Sequence, residues 1–213
     1  MSPTDTGVLD TLGMFDAAFG LPDQMAAAVE LASSVDGLPD ASAVTSILVL
    51  GMGGSGISGD IMALVASEHG RVPVEVSRHY ELPAHVGPHT LVMAVSFSGD
   101  TEETVVAAEA AVAAGAPVVA VTTGGALGDL VSAAGGGVCG LPKGIPLPRA
   151  ALGAVGLTPV VLATRLGLLN DTAAAVDAAI EAVAGRLGAN AGASGDTDNE
   201  ARTLARHIAR TQP

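Results

Sequence analysis

Ser96, Ser98 and Thr101 stand around one glycine in the stretch Ser96-Phe97-Ser98-Gly99-Asp100-Thr101-Glu102-Glu103-Thr104. A glycine turn lets the backbone fold back sharply, so this spacing allows three hydroxyl donors to converge on a tetrahedral anion without a cation. Such a site suits a phosphate monoester in a chain with a single lysine, Lys143. The plain alternative is a capped helix, with Ser98 or Asp100 as N-cap and Glu103 as the partner acid.

A second glycine-rich loop, Gly51-Met52-Gly53-Gly54-Ser55-Gly56, follows an apolar run and opens a helical pattern. Glycines admit a close backbone approach to a ligand. The helix start then offers unpaired N–H groups and the positive end of its dipole to an anion, and Ser55 adds a hydroxyl. The loop also fits the dinucleotide fingerprint G-x-G-x-x-G, which calls for an acidic residue ending the second strand. Here that strand runs into Ser77-Arg78-His79, with Glu75 inside it. The missing terminal acid disfavours a dinucleotide, and two donor-rich loops on neighbouring strand ends favour phosphate binding over a plain capped helix, because open α/β sheets place ligands in the crevice at their carboxyl edge.

The elements that position these loops are legible as apolar runs. Ser46–Leu50, Thr90–Val95 and Pro117–Val121 are continuously apolar or β-branched, as strands buried on both faces of a parallel sheet are. Pro73–Ser77 is a weaker strand and Gly137–Leu141 a fifth. Helical patterns lie between them at Ser55–Gly70, Asp100–Ala114 and Ala126–Ala134. This alternation predicts an α/β fold, a doubly wound five-stranded parallel sheet with extra helices at both ends. Asp23–Ser34 reads as a helix before the sheet. Ala150–Leu169, Asp171–Leu187 and Asn199–Arg210 read as helices after it, with a linker at Ala191–Asp196. The expected division is a helical extension over 1–40, a ligand-binding domain over 41–149 and C-terminal helices over 150–213.

Composition narrows the partners. The net charge is −13, and the eight arginines form no cluster. A nucleic-acid partner is not expected without a basic patch, nor is an anionic membrane. The most membrane-like stretch, Ala150–Leu169, is interrupted by Gly153, Gly156, Pro159 and Arg165 and reads as a buried or interface helix. The N-terminus, Met1-Ser2-Pro3-Thr4-Asp5, lacks the basic and apolar regions of a signal peptide, so a cytoplasmic protein is expected. The lone Cys139, in an apolar setting, reads as a buried small residue. His79, His85 and His89 lack metal-ligand spacing, and neither a metal nor another cofactor is expected.

The two loops resemble those of the sugar isomerase (SIS) domain, whose sheet has the flavodoxin-like strand order. The wider sequence resembles the bifunctional phosphoglucose/phosphomannose isomerase family. The stretches carrying this are Gly51–Asp60, Arg78-His79-Tyr80-Glu81-Leu82-Pro83, Ser96–Thr104, Thr122-Thr123-Gly124-Gly125 and Pro148-Arg149. The resemblance implies that Gly54, Ser55, Ser96, Ser98 and Thr101 hold the phosphate of a small-molecule sugar phosphate. It implies that Arg149 lies near C1–C2 of the sugar and stabilises an enediolate-like intermediate; the alternative is a surface arginine after a proline turn. The implied activity interconverts glucose 6-phosphate or mannose 6-phosphate with fructose 6-phosphate, without a metal. Asp100 departs from the asparagine of many relatives, and a carboxylate pointing inward would repel a dianion.

The family joins two SIS halves in one chain, and its proton-abstracting glutamate, ring-opening histidine and lysine lie in the second half. None has a counterpart here: Glu200 reads as a helix-start charge and His207 as a surface position. A truncated product or fragment is therefore expected, working as a homodimer or with a missing C-terminal half. The alternative function is a non-catalytic sugar-phosphate-binding SIS module.

Overall fold

A computed structural model of the chain describes residues 10–191 and 199–211. The strands are β1 (Ser46–Gly51), β2 (Val74–Ser77), β3 (Thr90–Val95), β4 (Val118–Thr122) and β5 (Val138–Gly140). All pair in parallel, in the order β2-β1-β3-β4-β5. This is the doubly wound flavodoxin-like arrangement expected from the sequence. The order reverses between β1 and β3, the two strands that carry the candidate loops.

Helix α3 (Gly53–His69) follows β1, α4 (Glu102–Ala113) follows β3 and α5 (Gly125–Ala133) follows β4. Strand alternation assigns side chains to two cores. Ile47, Val49, Leu91, Met93, Val95, Val119, Val121 and Cys139 face one side. Leu48, Leu50, Val92, Ala94, Val118 and Ala120 face the other, against Ala107, Ala108 and Ala111 of α4 and Leu127 and Val131 of α5. With no aromatic ring among the fully buried residues of either core, alanine surfaces let the helices lie close to the sheet.

The first core is covered by α3 together with α2 (Leu21–Ser34) and α6 (Leu152–Arg165). The apolar stretch 150–169 is thus not one helix. It is a 3-10 turn at Pro148–Ala150, then α6, then a turn at Gly167 ending in a bridge between Leu169 and Gly70. Its apolar face packs on α2 and α3, and Arg165 donates to the carbonyl oxygens of Ala32 (2.6 Å) and Val35 (3.0 Å), satisfying the carboxyl end of α2. Among the described residues no helix is long and apolar enough to cross a membrane.

A short helix α1 (Met14–Phe19) precedes α2 and was not legible in the sequence; it is six residues long and buries no residue. Helices α7 (Ala173–Ala191) and α8 (Glu200–Thr211) follow α6. The expected linker starts at the last residue of α7, and its remainder, like the N-terminal stretch Met1–Asp5, lies outside the described residues.

Cys139 is fully buried in β5, and burial pushes its thiol up to about 11 despite the opposing charge of Arg165. A neutral thiol in an apolar core is a packing residue, as its setting predicted.

Candidate functional site

Parallel pairing places Gly51 of β1 beside Val95 of β3. Adjacent strands are about 4.8 Å apart, so the loops leaving these two positions form neighbouring walls of one crevice. The first wall is tighter than a loop. Helix α3 begins at Gly53, so Gly53, Gly54 and Ser55 are its first turn. Their N–H groups precede the first intrahelical bond, from the Gly56 N–H to the Met52 carbonyl at 3.1 Å. No side chain caps this end.

The second wall is the turn Ser96–Thr101. Gly99 has φ of 81°, a conformation side chains disfavour, and a Cβ there would overlap the Gly124 carbonyl. Helix α4 starts at Glu102 with Thr101 as N-cap and no side-chain capping bond. Neither Ser98 nor Asp100 caps it, which sets aside the plain capped-helix alternative. Asp100 instead reaches across to α5, where its Oδ1 accepts the Ala126 N–H at 2.9 Å.

The hydroxyls are held by backbone donors. Ser55 Oγ accepts the Phe97 N–H (3.3 Å), tying the two walls together. Ser96 Oγ accepts the Gly99 N–H (3.0 Å) and lies 2.9 Å from Thr101 Oγ1. Ser98 Oγ accepts the Asp100 N–H (3.2 Å). A hydroxyl that accepts through a lone pair keeps its proton to donate. Ser55 and Ser98 each retain one, and the Ser96–Thr101 pair shares one proton and keeps another. Ser96 is fully buried, Thr101 half-buried and Ser98 exposed. Ser96 therefore orients the turn, while Ser98 and Thr101 reach its surface.

The segment between β4 and α5 braces the second wall. The Thr123 N–H and hydroxyl both donate to the Phe97 carbonyl, at 3.0 and 2.8 Å, and the Leu127 N–H donates to Gly99. Arg149 is exposed in the 3-10 turn, and a Cβ on Gly54 would stand 3.9 Å from its Cα. The fold thus brings Pro148-Arg149 beside the first wall. Tyr80, beyond β2, has its phenol pKa raised by desolvation and then by the carboxylates of Glu102 and Glu103.

Ser77 and Arg78, not a carboxylate, stand at the carboxyl end of β2, which leaves the dinucleotide reading without its ribose ligand. His85 pairs with Glu75 at 3.2 Å, and His89 Nδ1 lies 3.0 Å from the Ala43 carbonyl. Among the described residues no three His, Cys, Asp or Glu side chains gather as a metal site. Glu200 pairs with Arg186 at 3.0 Å, and His207 is exposed on α8.

The SIS domain family matches residues 42–129, the segment that builds both walls. The chain carries a SIS domain. It is 38% identical over 157 residues to a bifunctional phosphoglucose/phosphomannose isomerase of Caldicellulosiruptor bescii, covering 74% of this chain and 46% of that protein. It is 33% identical over 199 residues to the protein of the same name from Aeropyrum pernix, covering 91% and 56%. The chain therefore spans about half the length of these relatives. Among solved structures, the C-terminal domain of glucosamine-fructose-6-phosphate aminotransferase from Francisella tularensis superposes with a TM-score of 0.63 at 16% identity, over 99% of this chain and 60% of that one. That likeness concerns the SIS fold.

Proposed function

We propose that the crevice between the first turns of α3 and α4 binds the phosphate of a hexose 6-phosphate, through Gly54, Ser55, Ser98 and Thr101, with Ser96 holding the turn. We read the activity it serves as interconversion of glucose 6-phosphate or mannose 6-phosphate with fructose 6-phosphate. The observation that carries the reading is two uncapped helix starts side by side, flanked by hydroxyls whose lone pairs already accept backbone N–H groups. A phosphate dianion offers only acceptors, and a site built of donors matches it. The names of the relatives supply the sugar.

Arg149 is the reacting-end residue in this reading. Negative charge develops on the sugar oxygen as a proton leaves the neighbouring carbon, and a guanidinium stabilises it. Proton transfer also needs a base. Asp60 is paired with Arg78 and Asp100 with α5, so these two carboxylates are committed elsewhere. A homodimer partner or a second SIS half would supply the base, in a protein working in the cytoplasm. The same commitment supports a second reading, in which this chain alone is a sugar-phosphate-binding module without turnover.

Calorimetric titration with fructose 6-phosphate, with an isomerase assay on the same sample, separates the readings. Binding with turnover supports the first and binding without turnover the second. No binding of any of the three hexose phosphates would sink both.

A further inference from the structure

Arg78 lies just beyond β2, outside both glycine loops, and the crevice described above gives it no part. Its Nη2 donates to the Gly56 carbonyl at 3.0 Å and to Asp60 Oδ2 at 2.6 Å. These partners are one turn apart on α3, directly after the residues whose N–H groups open the crevice. The approach is close: a Cβ on Gly56 would stand 2.9 Å from Arg78 Nε and 2.8 Å from the Gly51 carbonyl oxygen. Gly56 is thus the residue over which the guanidinium lies.

This helix start needs a brace. Three of the first four residues of α3 are glycines, which lose the most backbone freedom on ordering, and no side chain caps the end. The neighbouring carbonyl is also pinned, since Ser58 Oγ donates to the Ser55 carbonyl at 2.6 Å. A charge-assisted bond to the next carbonyl is the stronger of the two restraints. Asp60 fixes the direction of the guanidinium.

We infer that Arg78 is a positioning residue for the phosphate crevice. It holds the first turn of α3 so that the Gly53–Ser55 N–H groups and the Ser55 hydroxyl stay aimed at the anion. The inference rests on the phosphate reading for its functional half only.

The test compares Arg78→Met, Arg78→Lys and Asp60→Asn in the full chain. One readout is amide hydrogen exchange at residues 53–57 relative to β3, and the other is affinity for fructose 6-phosphate by calorimetry. Arg78→Met should speed exchange in that turn alone and weaken binding about tenfold, the size of one charge-assisted hydrogen bond. Arg78→Lys should recover most of both, because an ammonium still donates to the Gly56 carbonyl. Asp60→Asn, which leaves that bond in place, should change neither greatly. Unchanged exchange in Arg78→Met overturns the brace whatever the ligand. Uniformly faster exchange that lysine does not rescue overturns it too, since that marks general loss of fold. If the native chain binds no fructose 6-phosphate while Arg78→Met still loosens the turn, the brace stands and the phosphate reading falls.

Discussion

The Asp100 carboxylate accepts the Ala126 N–H at 2.9 Å, although 26 residues separate them. A side chain of the second wall thereby caps α5, the helix after the next strand. The carboxylate whose inward charge would repel a dianion ties the turn to α5 through this bond. Asp100→Asn, which keeps an acceptor oxygen, should leave stability and sugar-phosphate affinity nearly unchanged. Asp100→Ala should cost about 1 kcal/mol, the usual price of a lost N-cap. Urea unfolding of the two variants checks this.

Ser96 and Ser98 should part company. Ser96 is fully buried and bonded to Gly99 and Thr101, so Ser96→Ala should destabilise the fold by about 1–2 kcal/mol and weaken binding as well. Ser98 is exposed, so Ser98→Ala should move stability by less than about 0.5 kcal/mol while weakening fructose 6-phosphate binding. Paired melting and titration curves distinguish the patterns. Unaltered affinity in a Ser98→Ala, Thr101→Ala double variant would remove both residues from the site.

Gly99 combines a left-handed backbone with contact against the Gly124 carbonyl. Gly99→Ala should therefore cost at least about 2 kcal/mol, from strain and overpacking together. The loss should appear in chemical denaturation and abolish ligand stabilisation of the melting temperature.

Cys139 provides a pH prediction. Burial pushes its thiol in the folded chain up to about 11, above the 9.0 of an ordinary thiol. Between those values the unfolded chain loses a proton that the folded chain keeps, so stability falls as pH rises through that window. The native chain should lose melting temperature from pH 9 to 11 more steeply than Cys139→Ala. Iodoacetamide should label the thiol only after unfolding.

The strands and the two glycine loops were readable because each rests on a short run. Thr90–Val95 was read to the residue, and Ser96, Ser98 and Thr101 signal by type and spacing. The start of α3 was misplaced by two residues, because Gly53 and Gly54 carry no side chain to show helical periodicity. The stretch 150–169 read as one helix because hydropathy does not register the turn at Gly167. Asp100–Ala126, Ser55–Phe97 and Arg78–Gly56 were invisible for another reason: their partners lie 26, 42 and 22 residues apart. Only the parallel crossovers bring them together.

The anion donors proposed for the two walls are backbone amides and hydroxyls, none of which gains or loses charge near neutral pH. Binding should therefore follow the ionisation of the ligand's own phosphate, with its second pKa near 6. The −13 surface repels that ligand at long range. Added salt shortens the reach of this repulsion, so association should quicken with ionic strength, opposite to a site that gathers its anion with a field of lysines.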